Sequence, residues 1–316
     1  MIKRSFTQTI LILNLLLAST GTKAIIPGSS GDLTSSGSDM KVLTWNIYML
    51  PLSNLVNSNH RRARGLAQEL CRSDYTIIVF QEAFDPGARK IIREVLQKNF
   101  PFFYGPANNS KWYSIHTSSG LWIASRIPLQ EKTAIRYTGA RGFDRFANKG
   151  AILLEGAWKG QPFQLVATHI QSDDYPWMVR EKQIDDLHRL LIVPYSKPGV
   201  PQIICGDFNT DKAETPHYQE LLSVTGAEDG SLAGTDIYSF SSPGNEITRN
   251  KNERPRLIDY ILTRNSQLIE SITRQIRIFQ HQWKENFKTL SDHNALEATI
   301  RFSSDHLAGP IYLSQP

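Results

Sequence analysis

Six apolar runs in this 316-residue sequence end on, or lead into, polar side chains that would be costly to bury alone. Asn46 follows the run 42–45, and Gln81 with Glu82 follows 76–80. His169 follows 164–168, and Asp207 with Asn209 follows 202–205. Asp259 falls inside 257–262, and Asp292-His293 leads directly into 295–301. One such residue carries no message. Six runs doing the same thing with carboxylates, carboxamides and two imidazoles describe a shared polar rim, because a strand delivers its last side chains to the edge of its sheet.

That set fits metal-assisted attack of water on a phosphoester. Glu82 is a hard oxygen ligand and Asn46 a neutral one; with no cysteine and few histidines near them, the site suits Mg²⁺ better than Zn²⁺. His293 suits the general base, with Asp259 as the carboxylate that orients its ring. Asp207 can orient the water, and the Asn209 amide can donate to a phosphoryl oxygen as charge develops. His169 is placed to stabilise the phosphoryl group or assist the leaving oxygen. The sequence has no nucleophile elbow, no Gly-rich phosphate cradle and no HExxH, so direct water attack is the expected chemistry. Plainer roles remain open for two of these residues: Asn46 as a turn cap and Asp259 as a structural carboxylate.

The elements that must hold these residues are short apolar runs alternating with amphipathic stretches. Strands are expected at 42–45, 76–80, 121–124, 152–155, 164–168, 202–205, 257–262 and 295–301, and helices at 60–71, 88–98, 178–191 and 216–224. Several strands between 121 and 168 follow one another without a helix. That disfavours a doubly wound parallel sheet and favours two mixed sheets packed face to face with helices outside. The run His60-Arg61-Arg62-Ala63-Arg64 reads as a solvated helix face rather than a nucleic-acid patch.

Composition sets the frame. With 40% apolar and 21% charged residues, the chain is that of an ordinary globular protein. Its formal charge of +5 is partly local to the N-terminus: Lys3, Arg4 and Lys23 stand in residues 1–24 with no acidic residue. Lys3 and Arg4 precede an apolar run from 10 to 18, followed by Thr22-Lys23-Ala24, the layout of a secretory signal peptide too short to span a membrane. Taking three cations from +5 leaves +2, which argues little for nucleic acid as a partner. The expected organisation is a signal peptide at 1–24, a linker at 25–39, one catalytic domain at 40–303 and a tail at 304–316, in a secreted protein. Cys71 and Cys205 are the only cysteines, and Cys205 reads as a core residue, so no bridge is expected. Of the eight histidines, His60, His116, His188, His217, His281 and His306 are expected to be surface or satisfied side chains.

The segments WNIYMLP (45–51), FQEAFD (80–85), SGLWIASRIPL (119–129), ATHIQSDD (167–174), GDFNTD (206–211), LIDYIL (257–262) and LSDHNALEATI (290–300) stand in an informative order. In order and content they resemble the deoxyribonuclease-I-like endonuclease/exonuclease/phosphatase superfamily. The resemblance implies an α/β fold, a four-layered α/β/β/α sandwich, and metal-dependent phosphoester hydrolysis. Glu82 resembles that family's metal ligand, with Asn46 beside it; Asp207 and Asn209 resemble its GD-x-N pair. Asp259 resembles the carboxylate that orients the histidine, Asp292-His293 the terminal pair carrying the base, and His169 the mid-chain histidine.

A finer resemblance, to neutral and bacterial sphingomyelinases C, rests on the NIYMLP opening, on EAFD, on THIQ and on Gly142-Phe-Asp144-Arg-Phe-Ala-Asn148-Lys149-Gly150. It implies that Asp144, Asn148 and Lys149 serve the phosphate, with Asp144 pairing Lys149; an ordinary loop ion pair is the plainer reading. Where that branch often has acidic residues before the strand at 121, this chain has Ser118-Ser119, so one essential metal is expected, Mg²⁺ with Mn²⁺ or Co²⁺ as substitutes. The implied partner is a sphingomyelin-containing membrane, with no obligate protein partner; a secreted nuclease, or another phospholipid or phosphoinositide phosphoesterase, on the same scaffold is the alternative. The branch also carries an aromatic membrane-engaging hairpin, and Phe279, Trp283 and Phe287 stand four apart in the corresponding segment. Trp283 and Phe287 are therefore the expected membrane contacts, although the same spacing fits a core-facing helical stripe.

Overall fold

Strand β1 (Met40–Met49) shows how period-two alternation builds the layers. Met40 and Val42 enter one apolar core, while Leu43, Trp45, Ile47 and Met49 enter a second core on the opposite face. The computed structural model describes residues 39–51, 58–109, 116–172, 175–248 and 253–303. The expected signal peptide, nearly all of the linker, and the tail lie outside these residues.

Helix α1 (Asn59–Cys71) leads to β2 (Ile77–Ala83), which runs parallel to β1 and is followed by α2 (Pro86–Leu96). After β3 (Phe102–Tyr104) come β4 (Trp122–Ser125), β5 (Gln130–Arg136), β6 (Gly150–Trp158) and β7 (Gln161–His169). Helix α3 (Trp177–Leu187) runs into a wider π-type turn, His188–Ile192, before β8 (Gln202–Asp207) and α4 (Thr215–Thr225). The chain closes through β9 (Leu232–Ala233), β10 (Asp259–Arg264), β11 (Ile269–Arg277), β12 (Gln280–Lys284), β13 (Phe287–Thr289) and β14 (Ala295–Phe302).

Seven strands form one mixed sheet in the order β3-β4-β2-β1-β14-β11-β9, and five form another, β10-β8-β7-β6-β5. Inner-face residues of both sheets, among them Val42, Ile77, Val79, Leu154, Leu165, Ile203 and Ile261, share one core. That core reaches Ile184 and Leu187 of α3 and Leu221 of α4, while Leu66 and Leu70 of α1 and Ile92 and Leu96 of α2 pack on the outer face of the larger sheet. This is the α/β/β/α sandwich expected.

Topology gathers the rim. The parallel pairs β1/β2 and β7/β8 all end at one edge of the sandwich. The antiparallel β10 and β14 begin there, so Asp259 and Asp292-His293 arrive at chain starts while Asn46, His169 and Asp207 arrive at chain ends. Register brings Asp207 opposite both His169 and Asp259.

Several expectations shift. Strand β10 begins at Asp259 rather than at 257, and β5, an edge strand rich in exposed polar residues, gave no apolar run to find. Residues 280–289 form a two-stranded hairpin, as the finer resemblance implies, and not the helix of the plainer reading. Cys71 and Cys205 are free thiols.

Candidate active site

Parity along β2 would send Gln81, not Glu82, to the face between the sheets, since Ile77 and Val79 lie there and Ile78 and Phe80 face the helices. Gln81 does point inward, donating to Thr44 Oγ1 at 2.9 Å. Glu82 takes a left-handed backbone, φ +54°, which redirects the chain at the penultimate residue of the strand. Tyr48 (φ +50°) does the same at the penultimate residue of β1, and Asn209 (φ +48°) just past β8. Three non-glycine residues in a costly conformation at one rim mark a site whose geometry is imposed by its surroundings.

The oxygen-rich half of the rim centres on Glu82 and Asp207. Asn46 Nδ2 donates to Asp207 Oδ2 at 3.0 Å, and its nearby carboxamide also favours the ionised form of Glu82. Its Oδ1 accepts from the Tyr48 backbone N–H at 3.1 Å, leaving one lone pair. Asn46 is thus first a brace for Asp207. Glu82 Oε2 is buried without a hydrogen-bond partner. Burial and then the Asp292 carboxylate push the Glu82 carboxyl up to about 7, against the opposing pull of Lys149, His293 and Asn46. A buried carboxylate oxygen with nothing to accept from, beside a second carboxylate, is the environment that a hard divalent cation satisfies. The donor set fits Mg²⁺.

The other half is a histidine pair in different states. His293 Nδ1 lies 2.8 Å from Asp259 Oδ2, and its Nε2 lies 3.8 Å from Asp207 Oδ2. Burial lowers the affinity of His293 for a proton, but Asp259, then Asp207 and Asp292, overcome it and push the imidazole up to about 10. His169 goes the other way: burial, then Lys149 and His293, hold it well below its ordinary value. Lys149 Nζ sits 2.9 Å from His169 Nε2. An ammonium only donates, so Nε2 accepts and the ring proton is on Nδ1, which is buried without a partner. Asp207, Asp259 and His293 offer ligand atoms within 4.8 Å of one another. Because His293 Nδ1 is held by Asp259, this trio is better suited to proton transfer than to ligation.

Lys149 is buried and pairs with Asp144 at 2.9 Å, the ion pair the five-residue spacing anticipated. Asn148 is also buried, but its Nδ2 donates to the Asn108 carbonyl at 3.0 Å, so it fastens two loops instead of presenting its amide as a phosphate donor. Asn209 Nδ2 donates to the Ile170 carbonyl at 3.1 Å, and its backbone N–H to Asp207 Oδ1 at 2.9 Å. Gly206 explains the glycine of the GDFN segment: its φ is +147° and a Cβ there would lie 1.9 Å from the Thr168 carbonyl. Only glycine lets β8 approach β7 closely enough to set Asp207 against His169, whose Nε2 is 3.5 Å from Asp207 Oδ2.

Two expectations need correction. The aromatics of 279–287 do not project freely: Phe279 and Trp283 are half-buried against the core beneath α1, and Trp283 Nε1 donates to the Thr289 carbonyl at 2.8 Å. Phe287 is half-buried, its ring 5.4 Å from that of Trp283. Residues four apart share a face in a strand as well as in a helix, and here that face meets the protein. The second correction is Arg62, read as part of a solvated face but buried. Its guanidinium donates to the carbonyls of Ile47 (3.0 Å), Leu290 (2.7 Å) and Tyr48, and to Asn59 Oδ1 at 3.0 Å. It ties the turn after Asn46 to the turn before Asp292. The missed signal was its parity with Leu66 four residues on, an apolar helical stripe containing one arginine. Ser291 was also missed: its Oγ donates to the Asn46 carbonyl at 2.6 Å.

The sequence profile of the Endonuclease/Exonuclease/phosphatase family matches residues 43–306. Over 261 residues the chain is 30% identical to "Sphingomyelinase C 2" of Leptospira interrogans, covering 74% of this chain but 41% of that protein, less than half its length. Over 278 residues it is 25% identical to "Phospholipase C" of Staphylococcus aureus, covering 81% of this chain and 82% of that one. Among solved structures, a beta toxin mutant from Staphylococcus aureus with bound magnesium ions superposes with a TM-score of 0.74 at 22% identity, over 82% of this chain and 99% of that one.

Proposed function

The chain belongs to the endonuclease/exonuclease/phosphatase family, and from that premise we propose that it is a secreted, Mg²⁺-dependent sphingomyelin phosphodiesterase that releases phosphocholine and leaves ceramide. The observation that carries the chemistry is one buried rim holding the His293–Asp259 pair, the neutral His169 beside Lys149, and the partnerless Glu82 oxygen. The substrate class is supported by the names of the relatives matched above.

A divalent cation held by Glu82, with the spare lone pair of Asn46, would supply Lewis-acid polarisation of a phosphoryl oxygen. His293 in its neutral form takes a proton from the attacking water through Nε2, while Asp259 fixes the ring by holding Nδ1 and stabilises the imidazolium that results. Asp207, 3.8 Å from the same Nε2, orients the water. The His169 Nδ1–H is a donor for the phosphoryl group as negative charge develops, while Lys149, whose three N–H groups go to Asp144, His169 Nε2 and the Ile170 carbonyl, adds positive charge beside it. Asp144 holds Lys149 in place. Asp292 adds negative charge on the side of Glu82.

The test offers purified mature protein and Mg²⁺ four substrates side by side: sphingomyelin, phosphatidylcholine, phosphoinositides and plasmid DNA. Phosphocholine release from sphingomyelin, abolished by chelation, is the expected result. Nicking of the plasmid without lipid hydrolysis would replace the reading with that of a nuclease. Secretion rests on residues 1–24, and N-terminal sequencing of protein from culture medium should begin near residue 25. Among the described residues no helix is long and apolar enough to cross a membrane.

A further inference from the structure

The two most exposed large apolar side chains among the described residues are Phe143, 92% exposed, and Met178, 74% exposed. Isolated exposed apolar residues are ordinary. These two are set apart by their place. Phe143 stands in the 3₁₀ turn Gly142–Phe146, beside Asp144, whose carboxylate holds the active-site Lys149 at 2.9 Å. The same Asp144 Oδ2 accepts from the Ser172 backbone N–H at 2.8 Å, which ties the turn to the segment leading into α3 and Met178.

Two further contacts join the two segments, and a third fixes the second segment on α3. The Arg141 backbone N–H donates to Gln171 Oε1 at 2.8 Å, and a Cβ on Gly142 would lie 2.1 Å from the Tyr175 hydroxyl. Arg180 of α3 donates to the carbonyls of Ser172 and Tyr175, both at 3.2 Å. The turn is therefore held against the start of α3 by hydrogen bonds, and its exposed phenyl is presented by a fixed backbone. Arg141 and Arg145 are exposed on either side of Phe143, and the one acid of the turn, Asp144, is neutralised by Lys149. An apolar tip between cations fits the boundary of a bilayer, where acyl chains lie beneath a layer of phosphates. The hairpin 280–289 lacks these properties: Trp283 packs on the core, and Phe287, half-buried, lies against the Trp283 ring.

We infer that Phe143 and Met178 form the lip by which this chain enters a phospholipid surface, setting Lys149 and His169 at headgroup depth. The inference rests on the sphingomyelinase reading and specifies how that site meets its substrate. The test uses full-length mature protein with vesicles of phosphatidylcholine and sphingomyelin in EDTA, so that binding is read without turnover. A Phe143→Ala, Met178→Ala double variant should cosediment roughly tenfold more weakly than the parent or worse. It should cleave soluble p-nitrophenylphosphocholine with Mg²⁺ at the parental rate. Trp283→Ala with Phe287→Ala is the comparison, and the indole introduced by Phe143→Trp should emit at shorter wavelength when vesicles are added.

Vesicle binding equal to the parent's, an unshifted emission from the Phe143→Trp variant, or matching losses on vesicles and the soluble substrate would each overturn the lip. A parent that cleaves the soluble substrate but binds no vesicles would overturn it while leaving the phosphodiesterase intact. A parent whose vesicle binding depends on Phe143 and Met178, yet which hydrolyses no sphingomyelin, would uphold the lip and sink the substrate.

Discussion

Two histidines in one pocket, identical as free side chains, are driven apart by their neighbours: carboxylates surround His293, while an ammonium and burial surround His169. The geometry supports His293 as the base: Asp259 holds its Nδ1 and its Nε2 faces Asp207, whereas the His169 Nε2 is taken by Lys149. His293→Ala should lower kcat by about 10²–10⁴. Asp259→Asn should leave KM near the parental value and reduce kcat, since the ring loses the anion that holds Nδ1. A larger loss for His169→Ala than for His293→Ala, with Asp259→Asn harmless, would reverse the roles. Arg62 acts at the same scale without touching the reacting atoms. Its guanidinium serves three carbonyls on two turns, so Arg62→Ala leaves buried acceptors unsatisfied and should cost about 2 kcal/mol or more in urea unfolding. Arg62→Lys keeps the charge but not the fork. If its role is positioning, Arg62→Lys should lower kcat at temperatures where the variant is fully folded; unchanged kcat would make Arg62 purely structural.

At the scale of elements, the strand ends are set by backbone requirements that side-chain chemistry then exploits. Gly206→Ala forces a Cβ to within 1.9 Å of the Thr168 carbonyl, so β8 must move away from β7. The variant should lose activity and stability together, with a lowered urea midpoint; an unaffected enzyme would mean that β8 has room this geometry denies. Helix α2 depends on its cap: Asp85 Oδ1 accepts from the N–H groups of Gly87 (2.8 Å) and Ala88 (3.1 Å), and Asn59 donates to Oδ2 at 3.1 Å. Burial pushes the Asp85 carboxyl up, but Asn59, the Ala88 N–H and His60 outweigh it and hold it below its usual value. A carboxyl lowered by folding stabilises fully above its unfolded value near 4, and this contribution fades as pH falls through the folded value. Asp85→Ala should therefore cost about 1 kcal/mol at pH 7 and less at pH 3, with Asp85→Asn in between. A pH-independent penalty would rule out the carboxylate as its source.

For the molecule as a whole, the site is a cost that a cation offsets. Glu82 and Asp292 bring negative charge into a buried rim, so Mg²⁺ at a hundredfold excess over its Kd should add about 2.7 kcal/mol. That is a Tm rise of roughly 5 °C or more for a domain of this size. Glu82→Gln should raise the Tm of the metal-free protein and abolish the further rise with Mg²⁺; an undiminished rise would move the cation elsewhere. The sequence by itself determined the layers and the membership of the rim. Alternating strands and amphipathic helices are local patterns, and a buried Asp, Asn or His at the end of an apolar run is costly enough to be noticed one run at a time. It also determined the Asp144–Lys149 pair, whose partners lie five residues apart. Only the tertiary structure decided the rest, because those properties belong to pairs distant in sequence. The opposite shifts in proton affinity of His169 and His293 depend on which charges converge from several strands. The burial of Arg62 depends on carbonyls 15 and 228 residues away. Whether Trp283 or Phe143 meets solvent depends on what packs above it, and spacing along a chain carries no information about that.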